Sequence, residues 1–213
     1  MIKLTFQGAV IVYPKLPADI PNQLLFDDAT LHQPENQLSY SPRLRKEKPV
    51  NLSIGSKVIY PSQGPCLIDS VVNKECAGKL VSFYRLALLD DSGGDLFVPV
   101  EKVQTVGLRP LLNKSEIPEL LGRLMIPGQT AKDWKQRAQI NLKLLASGSA
   151  FDLAEVVESL TKLNQSKLLS FRENQVLERA KRLLICEISE VLGETKIAAE
   201  EQINSALNAQ RVV

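Results

Sequence analysis

The residues in this chain that could do chemistry are few and scattered. Its 213 residues hold one histidine, His32, and three cysteines, Cys66, Cys76 and Cys186. One imidazole cannot build a multi-histidine metal site, and His32 lies in a Pro/Asn/Gln-rich stretch that reads as loop. Three cysteines with no CxxC pair argue against a tetrathiolate zinc site and against a disulfide framework. No HExxH or GxSxG occurs. Gly78-Lys79 lacks both the upstream glycine and the following Ser or Thr of a phosphate-binding loop. The pairs Asp27-Asp28 and Asp90-Asp91 read as turns, because aspartates hydrogen-bond nearby backbone. Without a nucleophile–base set or a metal set, the chain is expected not to be an enzyme and to need no cofactor or metal.

What remains is contact chemistry. The single tryptophan, Trp134, stands among Lys132, Asp133, Lys135, Gln136 and Arg137. A lone tryptophan in a small domain is ordinarily a core anchor, yet these polar neighbours point to a surface turn. A flat amphipathic ring held on a surface can stack or wedge.

The elements that must position it fall into three parts. Residues 1–52 read as an extension and linker. They hold one strand-like run, Ile2 to Tyr13, and six of the twelve prolines (Pro14, Pro17, Pro21, Pro34, Pro42 and Pro49). The mixed-charge run Arg43 to Lys48 fits a solvated linker better than a nucleic-acid contact. Residues 53–112 read as small antiparallel β structure. Lys57 to Tyr60 stops at Pro61, Ser62-Gln63-Gly64-Pro65 turns the chain, and Cys66 to Val72 and Leu80 to Leu89 follow. Asp90-Asp91-Ser92-Gly93-Gly94 gives a hairpin before Leu96-Phe97-Val98. Gly64 and Gly107 read as turn glycines.

Residues 113–213 change to a helical period. Thr130-x-x-Asp133, Ser149-x-x-Asp152 and Ser170-x-x-Glu173 mark helix starts, and Gly148 and Gly193 stand where left-handed caps belong. Apolar residues at three- and four-residue steps predict helices near 115–125, 131–147, 150–166, 171–192 and 195–208. The expected class is α+β: a small β-barrel followed by an all-α domain.

Charge divides the chain more finely than its total of +2. Residues 53–112 balance, six basic against six acidic; 123–182 carry eleven against six, and 183–213 two against five. A basic helical body can attract phosphate backbone, weakly and in a salt-dependent way. The apolar run Ala9 to Tyr13 is too short for a signal-peptide core or a membrane span, so no membrane partner and a cytoplasmic location are expected.

Ile54-Gly55-Ser56-Lys57-Val58-Ile59-Tyr60-Pro61-Ser62-Gln63-Gly64 resembles the opening of the CarD/CdnL family of bacterial transcription regulators, a module shared with transcription-repair coupling factors. Ser82-Phe83-Tyr84, Phe97 to Val103 and Val106 to Arg109 continue that resemblance in order. Asp133 to Arg137, Lys143 to Gly148, Ala154 to Val157 and Leu169 to Glu173 resemble the family's helical domain. Coupling factors lack that helical domain.

The resemblance implies a Tudor- or SH3-like barrel that docks on the RNA polymerase β subunit, with Lys74, Arg85, Phe97 and Pro99 at the contacting positions. It implies a helical domain at the upstream fork of the promoter bubble, where Trp134 wedges into the minor groove without reading sequence. Leu142 and Phe171 match the apolar patch beside it. Relatives commonly carry Arg or Lys where this chain has Gln136, Gln139, Asn174 and Gln175. DNA contact is therefore expected to be weaker or shifted towards Lys135, Arg137, Arg179, Lys181 and Arg182. A monomer associated with the nucleoid through polymerase is expected. The alternative is an adaptor that holds polymerase without touching DNA and competes with a coupling factor.

Overall fold

The computed structural model describes residues 2–6, 9–13, 52–76, 78–90, 93–126, 128 and 133–209. Strands β1 (Ile2–Phe6), β2 (Ala9–Tyr13), β3 (Lys57–Tyr60), β4 (Gly64–Cys76), β5 (Lys79–Leu88), β6 (Asp95–Pro99) and β7 (Arg109–Pro110) form one antiparallel sheet. Their order is β1-β2-β6-β5-β4-β3-β7. The α+β class therefore stands, and five of the strands lie in residues 57–110. The ladder runs openly from β1 to β7, and no pairing among the described residues closes it into a barrel. The run from Ile2 to Tyr13 is two strands, with Phe6 paired to Ala9.

Period-two alternation sorts the sheet into faces. Leu96 and Val98 of β6 are buried with Val58, Tyr60, Cys66, Ile68 and Leu86, and Val103, Val106 and Leu108 close that core. Val103 and Val106 come from helix α1 (Val103–Val106), which ends at Gly107 with φ +78°, and Leu108 lies between that end and β7. A bulge between Ile68 and Ser70 shifts the β4–β5 register by one residue.

Helices α2 (Ile117–Met125), α3 (Trp134–Ser147), α4 (Ala150–Ser166), α5 (Phe171–Leu192) and α6 (Lys196–Ala209) build the second core. Ser149 and Ser170 cap α4 and α5 as expected, and Gly148 and Gly193 are left-handed at the ends of α3 and α5. One helix start is corrected. Thr130 lies outside the described residues, and Asp133 is itself the cap of α3, its carboxylate accepting from the Gln136 N–H at 3.0 Å. Asp133 has extended backbone, so the helix opens at Trp134 and not at residue 131.

The two cores are fastened together. Arg109 donates from Nη1 and Nη2 to the two Glu187 carboxylate oxygens, each at 2.7 Å, and from Nε to the Gly148 carbonyl at 2.7 Å. Glu187 is buried and also accepts from the Leu112 N–H. Lys57 reaches Glu190 at 2.6 Å. Gly148 sits at the closest approach, where an added Cβ would stand 3.0 Å from Pro61 Cγ and 3.2 Å from Pro61 Cα. No helix among the described residues is long and apolar enough to cross a membrane, and none of their His, Cys, Asp and Glu side chains cluster as a metal site.

Candidate functional site

The sheet carries one candidate surface. On its outer face, directly paired residues point the same way, so Arg85 lies beside Phe97 and Phe83 beside Pro99. Lys74 pairs with Val81, two and four residues before Phe83 and Arg85, and so shares that face. All four residues expected to touch polymerase therefore occupy the side opposite the core. Lys74 Nζ stands 3.7 Å over the Phe97 ring, a cation–π contact. Arg85 is held between Asp95 at 2.8 Å and Asp69 at 3.3 Å. The face carries half-buried Phe97 and Pro99 next to the buried Phe83, with Lys74 and the tethered Arg85 beside them.

The helices carry a second surface. Trp134 opens α3 and is 62% exposed. Ala138 and Leu142 follow at four-residue steps, which stacks the three on one side of the helix, and Leu142 is 58% exposed. Phe171 opens α5 at 76% exposure. Leu168, three residues earlier, is 91% exposed and had no place among the expected site residues. Its signal in the sequence was weak: Leu168-Leu169 precedes a helix cap, and nothing local says that Leu169 turns inward while Leu168 does not.

What brings the two helix starts together is an ion pair. Arg137 donates to Glu173 Oε1 from Nε at 2.9 Å and from Nη2 at 2.6 Å. Glu173 Oε2 accepts from the Ser170 N–H at 2.9 Å and from its hydroxyl at 2.7 Å. One carboxylate therefore caps α5 and anchors α3. Burial by itself would raise the Glu173 carboxyl, but the Ser170 backbone and hydroxyl and the Arg137 guanidinium outweigh it and hold the group at about 2.

This corrects the role expected for Arg137. The side chain is 4% exposed and its guanidinium is spent on Glu173, so it braces the site from behind and presents no charge to a phosphate. The helical period alone hides this, because a charged residue in a first turn reads as solvated. A further brace lies on α4, where Glu158 accepts from the Gly128 N–H at 2.9 Å, shortly before α3 begins.

The other expected cations differ in setting. Lys135 is exposed, with Nζ 5.6 Å from the Trp134 ring centroid. Arg182 is exposed on the α5 row that begins at Phe171 and runs through Gln175 and Glu178. Arg179 is exposed and donates to the Ser62 carbonyl at 3.0 Å, which ties it to the β3–β4 turn. Lys181 is half-buried. Gln136, Gln139 and Gln175 are exposed, whereas Asn174 donates back to the Leu169 and Ser170 carbonyls. Trp134, Lys135, Leu142 and Phe171 form the coherent part of the set.

Comparisons with known proteins follow the same two modules. Residues 52–112 match the family described as the CarD-like/TRCF RID domain, and residues 125–204 match that described as CarD, C-terminal domain. YdeB of Bacillus subtilis (strain 168), named as a candidate transcription factor, is 27% identical over 154 residues, which is 71% of this chain and 97% of that protein. The solution structure of the 72-residue N-terminal domain of Myxococcus xanthus CarD is 31% identical, covering 38% of this chain and 93% of that one, with a TM-score of 0.25. Both family matches leave out residues 1–51.

Proposed function

Because the chain belongs to the CarD/CdnL family of transcription regulators, we propose that it binds the RNA polymerase β subunit through its sheet and holds promoter DNA open through Trp134. It acts by contact and not by catalysis. The observation that carries the reading is the exposed apolar ridge of Trp134, Leu142 and Phe171 across two fastened helix starts. A wedge entering the minor groove unstacks a step at a cost of a few kcal/mol. At the fork that step is already broken by opening, so an indole stacked on the exposed pair adds ~1–3 kcal/mol to the open state. That shifts the open population by roughly ten- to a hundredfold. Docking on polymerase raises the local concentration of the wedge, so weak intrinsic DNA affinity suffices. Lys135 and Arg182 supply phosphate contacts beside the ridge, and Lys74, Arg85, Phe97 and Pro99 form the docking face.

Permanganate footprinting at limiting polymerase tests this reading. Trp134→Ala loses the protein's stabilisation of the bubble while still binding the β subunit; an unchanged footprint removes the wedge.

A second reading, an adaptor that occupies the β subunit and competes with a coupling factor, is favoured by one observation. Arg137 is buried, and the exposed Gln136, Gln139 and Gln175 leave the ridge thinly charged. Fluorescence anisotropy of fork-junction DNA decides: no gain when the chain joins polymerase and DNA selects the adaptor.

A further inference from the structure

In the part of the sheet covered by the family match, β6 is a margin, paired with β5 on one side only. A strand at a margin presents unpaired N–H and C=O groups, a template on which another extended segment can add. In this chain that margin is occupied from within. β2 pairs with β6 through Val10↔Phe97, Ile11↔Leu96 and Val12↔Asp95, and β1 covers the far side of β2. The occupying hairpin comes from residues 1–51, outside both family matches. Its pairing ends at Phe97, so Val98 and Pro99 continue past it.

We propose that the hairpin of residues 2–13 is an intramolecular cover of the β6 edge, and that the RNA polymerase β subunit docks fully only by displacing it. The inference rests on the docking reading above, because the covered strand is the one that carries Phe97 and Pro99. The cover is removable for a structural reason. Among the described residues its backbone pairs with β6 at residues 95–97, whereas β5 pairs with β6 over its whole length, from Asp95 to Pro99. A strand arriving from a partner can pair first where the cover ends and then replace it rung by rung. The same edge cannot serve both strands, since each backbone donor and acceptor pairs once along a ladder. With the hairpin in place the free edge on this side of the sheet is β1 and no longer β6.

An equilibrium of this kind lowers apparent affinity by the uncovered fraction, so a cover in place nine-tenths of the time weakens docking about tenfold. The test titrates cognate core RNA polymerase with the full chain and with a variant lacking residues 1–13. The shortened chain is expected to bind about tenfold more tightly. Equal binding, or weaker binding by the shortened chain, overturns the cover; no binding by either chain overturns the docking reading, and the cover with it. A second variant works without deletion: Val12→Cys with Asp95→Cys ties β2 to β6 when oxidised. The oxidised form is expected to bind at least about tenfold more weakly than its own reduced form, while Asp95→Cys alone responds to neither treatment. Equal binding in the two redox states overturns the proposal.

Discussion

The Arg137 guanidinium closes on the Glu173 carboxylate at 2.6 Å, and this one contact sets the first turn of α3 beside the first turn of α5. Trp134 lies three residues before the arginine and Phe171 two before the glutamate, so their relative position follows from the pair. The exposed ridge depends on a buried polar contact that neither aromatic residue makes.

Acid should loosen the ridge within a definite window. Glu173 is held at about 2, below its ordinary 4.5, so its ionised form stabilises the fold. That contribution is complete above about pH 4.5 and is lost as the pH falls towards 2. The shift corresponds to about 3 kcal/mol. Urea unfolding followed across this range should show Glu173→Gln with lower stability at neutral pH and a flatter acid limb. A parallel acid limb in the variant would refute the assignment.

Trp134→Ala should separate function from stability. Truncating a buried tryptophan costs ~3–5 kcal/mol, whereas substitution at an exposed site usually stays within about 0.5 kcal/mol. At 62% exposure the second outcome is expected, with thermal melting nearly unchanged while bubble stabilisation disappears. A large drop in melting temperature would place the indole in the interior and undo the wedge.

Glu187→Gln should strike the junction of the two modules. It leaves Arg109 facing a neutral partner in a buried setting, and breaking such a pair costs about 3–5 kcal/mol. Chemical denaturation followed at Trp134 fluorescence and by far-ultraviolet dichroism measures it. A change below about 0.5 kcal/mol, the range of an ordinary surface site, would show that the pair holds nothing.

Cys66 should be inert in the folded chain. Burial, helped by Asp90 and partly opposed by a backbone hydrogen bond from Tyr60, pushes its thiol up to about 12. Iodoacetamide at pH 8 followed by peptide mass mapping should leave it unmodified until denaturant is added. Prompt alkylation of Cys66 without denaturant would contradict the packing.

The sequence by itself determined the elements and the order of the two modules. Proline and glycine punctuation ended β3 at Tyr60, and hydroxyl caps placed the starts of α4 and α5, because those preferences act within a few residues of chain. It also placed Trp134 on a surface, since five polar neighbours cannot all be buried at a turn. What only the tertiary structure decided is the fate of charges and edges. Arg137 and Arg179 both read as basic residues of one body, yet one is sealed against Glu173 and the other bonded to the Ser62 carbonyl, 36 and 117 residues away. The pairing of β2 with β6 is equally invisible along the chain. Such partners are chosen by desolvation and by backbone groups seeking mates across space, and those forces leave no periodic trace in a linear sequence.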